Sequence, residues 1–350
     1  MFRPRALART VVAARLVPAA LAAAVLALAG CKPLTLTAPG PAAPGPVQAA
    51  ARSGPLFTEP GAGFSPVYRL IGRARHYIDI TMYEFRDTAA EHDLAAAARR
   101  GVRVKVILDR QERSTNSAAY HYLAGHGVTV TWSSPAFEYT HQKTIVIDGA
   151  TALIMTANLT SRYYPTSRDF LIEDTKHADL SAVTAVFNAD FAHRPVQPGD
   201  GRDLVWSPAN AQGTLLGLIN AATRSLRVYS EEMGDTTIED ALIKAAHRGV
   251  HVKVCGENTG GEYNSAFARL ARAGVQISYY GSPSGFYIHG KAVEADYGTH
   301  HARAFIGSEN FSPTSLHRNR ELGLVTADPA VLASLAKTFR TDFRRGTRWG

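Results

Sequence analysis

The strongest constraint on this chain is an internal repeat. Arg100-Gly101-Val102-Arg103-Val104-Lys105-Val106 recurs as Arg248-Gly249-Val250-His251-Val252-Lys253-Val254, 148 positions later. Glu84 and Glu232, His141 and His289, Lys143 and Lys291, and Asp148 and Asp296 share that offset. A period this long describes two tandem, similarly folded domains rather than a solenoid of short repeats. With 45% apolar and 19% charged residues in 350, each half can bury its own core.

Each half follows the same grammar. A strand (77–85 and 225–233) leads into a helix whose start reads as a capping box, Thr88-x-x-Glu91 and Thr236-x-x-Glu239. Gly101 and Gly249 stand where a helix C-cap glycine belongs, before an alternating β-branched strand. A second helix follows (about 117–124 and 265–273), then another strand and the motif strand. Strands alternating with helices predict an α/β layered fold in each half, over residues 61–205 and 206–350.

The N-terminus is built differently. Arg3, Arg5, Arg9 and Arg15 precede the apolar stretch 16–28, the order of a secretory signal over residues 1–30. The stretch ends in Leu28-Ala29-Gly30-Cys31, similar to a bacterial lipoprotein cleavage box, which would make Cys31 a lipidated first residue and anchor the protein to the outer face of a membrane. Residues 31–60 are rich in Pro, Ala and Gly and are expected to form an extended tether. Without the four signal arginines the formal charge falls from +8 to +4, compatible with an anionic substrate but not diagnostic of one. Cys255, the other cysteine, follows an alternating run and reads as a buried strand residue without a disulfide partner.

The chemistry is carried by two copies of one constellation. His141-Gln142-Lys143 ends in Asp148, and His289-Gly290-Lys291 ends in Asp296. In a strand, positions two apart share a face, so each histidine and lysine would meet the same ligand. An imidazole that can attack or protonate, beside an ammonium that neutralises oxygens, suits a phosphate. Asp148 and Asp296 have the opposite parity and are expected to fix local structure. Such a histidine needs an acid on its other ring nitrogen. Asp169, 28 residues after His141, and Glu321, 32 after His289, are the candidates. Asn158 and Asn310 show the same difference of four residues, which one insertion after Asp296 explains.

These paired motifs, the Gly307-Ser308-Glu309-Asn310 segment and the downstream acids resemble the phospholipase D superfamily over roughly residues 61–345. The resemblance implies two domains, each a mixed sheet flanked by helices, related by a pseudo-two-fold axis with one active site between them. It implies a covalent phosphohistidine on His141, acid-base work by His289, phosphoryl contacts from Lys143, Lys291, Asn158 and Asn310, and no metal or other cofactor. Two departures stand out: Thr156 takes the place of Ser308, and Asp169 the place of a glutamate. Thr156 and Ser308 are expected to contact substrate. Glu84 and Glu232 are either strand-end charges or part of the cleft wall.

The expected partners are a phospholipid, or another phosphodiester, and the membrane reached through Cys31. Both motifs in one chain suit a monomer. Hydrolysis or headgroup exchange on phospholipids is the first expectation. Cardiolipin-type transfer to a lipid alcohol and an exported nuclease on nucleic acid are the alternatives, with an inactive binding module behind them. His300 and His301 read as a solvated turn. Arg340, Arg344, Arg345 and Arg348 read as a solvated helix end, or as a contact for anionic lipid or nucleic acid.

Overall fold

The computed structural model describes residues 54–350. The signal segment, Cys31 and residues 31–53 of the tether lie outside the described residues. In the first half, strands β1 (Leu56–Glu59), β2 (Tyr77–Met82), β3 (Arg103–Leu108), β4 (Thr129–Trp132), β5 (Thr144–Ile147), β6 (Thr151–Met155) and β7 (Ser167–Asp174) are joined by helices α1 (Ser65–Arg73), α2 (Thr88–Arg99) and α3 (Arg113–Gly125). Helix α4 (His177–Phe191) closes it.

The second half repeats the plan. Its strands are β8 (Leu204–Ser207), β9 (Ser225–Ser230), β10 (His251–Glu257), β11 (Gln276–Tyr280), β12 (Tyr287–Ile288), β13 (Lys291–Ala295), β14 (Arg303–Gly307), β15 (Glu321–Thr326) and β16 (Thr347–Arg348). Its helices are α5 (Ala211–Ala221), α6 (Thr236–His247), α7 (Asn264–Arg272), α8 (Pro313–His317) and α9 (Pro329–Arg345).

The first sheet runs β1-β7-β6-β5-β2-β3-β4 and the second β8-β15-β14-β13-β9-β10-β11-β16. Apart from β16, which extends the second sheet by one strand, the orders match, with β2, β3 and β4 parallel like β9, β10 and β11. This is the mixed α/β architecture in two halves that the repeat implied. One boundary needs correction: the tether does not extend to residue 60. Leu56–Glu59 pairs antiparallel with β7, as Leu204–Ser207 does with β15 at the same offset of 148. Its four residues supply the sheet's edge, which composition alone hid behind the adjoining prolines.

Strand alternation builds three cores. Ile145, Ile147, Leu153 and Leu171 point to an outer core under α1–α3, while Val146, Ile154, Phe170 and Ile172 point the other way. Those inner residues meet Ala292, Ile306, Leu322 and Leu324 of the second sheet, together with apolar residues of α4 and α9. Val293, Ala295 and Phe305 face the second outer core under α5–α7. Both faces of the central strands are thus buried, which is why they read as continuous apolar runs. Burying apolar surface at ~25 cal/mol per Å² makes this shared middle layer a source of cohesion between the halves.

Helix starts lie one residue earlier than the capping boxes suggested. Asp87 accepts the backbone N–H groups of Ala89 and Ala90, and Asp235 that of Ile238, so the aspartates are the caps. Gly101 and Gly249 have φ of 89° and 87° and end α2 and α6 as left-handed residues. Cys255 is fully buried in β10. Among the described residues no helix is long and apolar enough to cross a membrane.

Candidate active site

Both motif histidines sit just ahead of their strands rather than within them. β5 begins at Thr144 and β13 at Lys291, so simple alternation does not describe how His141 and Lys143, or His289 and Lys291, share a face. The segment before each histidine instead pairs with the other half. Tyr287 and Ile288 lie parallel to Ser167 and Arg168 of β7, and Thr140 bridges Arg320 just before β15. The His289 N–H donates to the Arg168 carbonyl at 3.2 Å, and the Gln142 N–H to that of Arg320 at 3.0 Å.

This exchange decides which acid serves which histidine. His141 Nδ1 donates to Glu321 at 2.9 Å, and His289 Nδ1 donates to Asp169 at 2.7 Å. Each pair spans the two halves. The shorter Asp169 therefore serves His289, not the histidine it follows in sequence. Thr156 and Ser308 are also reassigned. Both hydroxyls are fully buried and donate at 2.6 Å to Asp169 and Glu321 respectively, so they steady the acids rather than touch a ligand. Glu321 also accepts from Ser315 at 2.7 Å and Asn319 at 3.0 Å.

Two arginines, one residue before each acid, reinforce the crossing. Arg168 holds Asp342 of α9 through two bonds of 2.6 and 2.9 Å. Arg320 holds Asp190 of α4 at 2.9 and 3.1 Å. These side chains are largely buried, and the two bridges are equivalent under the repeat. The two aligned bonds of Arg168 fix orientation as well as distance, while Arg320 makes one hydrogen bond and a close ion pair.

The histidines open into a cleft of about 500 Å³ lined by Glu84, Glu232, Asn158 and Asn310, with Tyr83, Glu231, Tyr163 and Tyr287 completing the wall. Glu84 and Glu232 thus belong to the cleft. The side-chain oxygens of Asn158 and Asn310 have no protein partner among the described residues, which leaves both amides available to a ligand. Lys143 and Lys291 are buried beneath, their ammonium groups donating to the carbonyls of His141 and His289 at 2.5 and 2.6 Å.

Charge in this space is strongly shaped by burial. Lys143 is pushed down to about 7, chiefly by burial, against the pull of Glu321 and with the repulsion of Lys291. Burial likewise lowers His141 despite Glu321, which favours a neutral ring with a lone pair on Nε2. Burial alone would raise Glu321, but His141, Lys143 and Ser308 hold it below the carboxylate range. The anionic acid and the Nδ1–H of the ring thus match each other. A buried neutral imidazole oriented by a carboxylate is equipped to attack an electrophilic centre.

Asp148 and Asp296 lie away from this chemistry. Each takes a left-handed turn, with φ of 54° and 52°. The Asp148 carboxylate accepts the N–H groups of Arg75, His76 and Tyr77 at 2.7–2.9 Å. Asp296 accepts those of Thr223, Arg224 and Ser225 at 2.7–3.0 Å. Burial opposes ionisation at both, yet these donors hold the two carboxyls below their ordinary range.

Sequence reasoning missed Tyr83, Glu231, Tyr287 and the two Arg–Asp bridges. The bridges carried a signal, because Asp190 and Asp342 differ by 152, like Arg168 and Arg320. Glu231 carried the opposite signal: its repeat position is Tyr83, so a search for matched residues passes over it.

Two mixed sheets, each carrying a His-x-Lys segment in a half that matches a PLD-like domain, place the chain in the phospholipase D superfamily. Within it, residues 67–192 and 215–343 each match the family described as cardiolipin synthase, PLD-like domain. The chain belongs to that family. It is 25% identical over 334 residues to cardiolipin synthase of Geobacillus kaustophilus, covering 81% of this chain and 64% of that one. It is 26% identical over 321 residues to cardiolipin synthase B of Shigella flexneri, covering 77% and 75%. Among solved structures, phosphatidylserine synthase of Haemophilus influenzae Rd KW20 shares the fold at a TM-score of 0.65 and 13% identity, over 84% of this chain and 87% of that one. Polyphosphate kinase from Porphyromonas gingivalis does so at 0.63 and 16%, over 82% and 50%.

Proposed function

We propose that this protein is a phosphatidyltransferase of the cardiolipin synthase kind. It would open a phospholipid phosphodiester onto His141 and pass the phosphatidyl group to an alcohol, with water as a minor acceptor. The observation that carries the proposal is the pair of crossed histidine–acid contacts, His141 with Glu321 and His289 with Asp169, in a chain whose two halves both match the cardiolipin synthase family. Transfer, the alternative at the level of sequence, thereby displaces hydrolysis as the favoured outcome.

In this scheme the neutral His141 attacks phosphorus through Nε2 while Glu321 holds the Nδ1 proton. His289 protonates the departing alcohol and then takes the proton of the acceptor. Lys143, Lys291, Asn158 and Asn310 hold the non-bridging oxygens, each contact strengthened where water is excluded. Glu84 and Glu232 stand on the wall where headgroups enter. Export and attachment through a lipidated Cys31 would bring the cleft to a membrane surface.

The test is product analysis. The full chain, in mixed micelles with phosphatidylglycerol, is expected to release glycerol and form cardiolipin in excess over phosphatidic acid, and His141→Ala to abolish both. Phosphatidic acid as the dominant product would restore hydrolysis. Cleavage of single-stranded DNA without lipid turnover would make the protein a nuclease.

A further inference from the structure

Besides their acids, the two halves differ at a pair of matched positions beside their histidines. Tyr83 and Tyr139 of the first half correspond, at the offset of 148, to Glu231 and Tyr287 of the second. In the first half the pair is aromatic: Tyr83 meets Tyr139 edge-on at 6.1 Å and His141 at 4.6 Å, with the Lys143 ammonium 5.0 Å from its ring. In the second half a carboxylate takes that place. Glu231 contacts the Lys291 ammonium, accepts the Tyr287 hydroxyl at 2.9 Å, and lies 3.7 Å from His289 Nε2.

The two rings therefore have different surroundings. His289 has a carboxylate toward each nitrogen, Asp169 on Nδ1 and Glu231 toward Nε2. His141 has one carboxylate, on Nδ1, and a phenol ring packed edge-on beside it. An attacking imidazole needs a lone pair on Nε2, whereas an acid needs a proton there. A ring with carboxylates toward both nitrogens is matched when both carry hydrogen; a ring flanked by an aromatic group is not.

We propose that Glu231 is a positioning residue that keeps the reactive proton on His289 Nε2 and so makes His289 the acid for the leaving alcohol. The assignment rests on the transfer reaction proposed above. In the first step the His141 Nε2 lone pair forms the N–P bond, and the P–O bond to the leaving group breaks with its electron pair on oxygen. The Nε2 proton of His289 passes to that oxygen. His289 is left neutral, and its new lone pair takes the acceptor's proton in the second step. Glu231 keeps its charge throughout, held by Lys291 and Tyr287. The other charged groups that face His289 are Asp169 from β7 and Lys291 from its own segment, with His141 and Lys143 across the cleft and Glu232 beside Glu231.

Leaving groups of different basicity test this directly. The full chain and Glu231→Gln are compared in single turnovers on two short-chain phosphatidyl esters, one of glycerol and one of 4-nitrophenol. Glycerol must be protonated to leave, whereas nitrophenolate leaves without help. General acid catalysis contributes ~10²–10⁴-fold. Glu231→Gln is therefore expected to slow the glycerol ester by roughly 10- to 100-fold, as a partial loss of that factor, and to slow the nitrophenyl ester far less. The alkaline limb of the glycerol-ester profile should move to lower pH. Glu231→Asp, a shorter carboxylate, should recover part of the loss, and it carries the test if the glutamine variant melts early. Equal slowing of both esters, or an unmoved alkaline limb with wild-type rates, overturns the assignment. Failure of the wild-type chain to cleave either ester overturns the transferase reading itself, and this assignment with it.

Discussion

Replacing Glu321 with glutamine should disable His141, although the acid lies in the other half of the repeat. Glu321 is fully buried and accepts from His141, Ser308, Ser315 and Asn319 at 2.6–3.0 Å. Glutamine fills the same space but turns an NH₂ group toward some of those donors. One buried donor left without an acceptor costs about 1–3 kcal/mol, so the variant should fold with a lowered Tm. The effect on rate is larger, because an amide no longer fixes the proton on Nδ1 and the lone pair on Nε2. In serine hydrolases, substitution of the acid that orients a histidine costs on the order of 10⁴-fold. The assay is a stopped-flow burst on a 4-nitrophenyl phosphodiester, which separates formation of the phosphoenzyme from its breakdown. Loss of the attacking histidine should abolish the burst. Loss of the other should leave a burst of one equivalent, because nitrophenolate departs unaided, followed by a stall. Glu321→Gln should behave like His141→Ala, and Asp169→Asn like His289→Ala. That grouping does not depend on which histidine attacks. If Glu321→Gln groups with His289→Ala instead, the crossed pairing is wrong.

Lys143, pushed down to about 7, is charged below that value and loses its proton as pH rises through it. With the nitrophenyl ester, whose leaving group needs no acid, kcat/KM should therefore fall above pH 7, and Lys143→Arg should remove that limb while lowering the plateau. Asp148→Ala removes the acceptor of three backbone N–H groups from a left-handed turn and should cost roughly 1–3 kcal/mol in denaturant titrations without changing the pH profile of the folded fraction. Glu309 is fully buried, its carboxyl without a side-chain hydrogen-bond partner among the described residues and set over Gly307 and Gly323, where an added Cβ would meet it at 2.2 and 2.8 Å. Burial, with Glu321 adding, raises it well above its ordinary value, so it binds its proton more tightly folded than unfolded. Stability from this group is full below the unfolded value and is lost as pH rises; Glu309→Gln should flatten that loss in Tm measured against pH. Asp342→Ala breaks the Arg168 bridge and removes the acceptor of the Tyr229 hydroxyl, for about 3–5 kcal/mol by chemical denaturation.

The fold was legible because the repeat stated it twice. A strand or helix signal that is weak once becomes firm when it recurs in register, and the matched sheet orders follow from it. Leu56–Glu59 escaped because four residues beside a proline-rich stretch carry little periodicity of their own; comparison with Leu204–Ser207 would have found them. The site was legible as a set of residues and not as a set of contacts. Spacing along the chain attaches Asp169 to His141, whereas β7 and β15 each run beside the other half's motif segment and carry the acid across. Thr156 and Ser308 were misplaced for the same reason, since their partners are the crossed acids. Nothing local in the sequence encodes that exchange. It arises where the two sheets meet.

A symmetric scaffold poses a chemical difficulty that this sequence resolves at a few positions. One phosphate must meet two histidines in different protonation states, yet a perfect repeat would give both rings the same surroundings. The elements that bring the site together are duplicated faithfully: the His-x-Lys segments, the turn aspartates and the Arg–Asp bridges. Three matched positions near the site differ in charge or length: Tyr83 against Glu231, Ala157 against Glu309, and Asp169 against Glu321. The first places an aromatic ring beside one histidine and a carboxylate beside the other. The second puts a further buried acid near Glu321, with no counterpart in the first half. The third gives His141 the longer acid, held by Ser308, Ser315 and Asn319, and His289 the shorter one, held by Thr156. On the proposed reaction, the shared elements would set where the phosphate binds, and the differences would set which histidine attacks it.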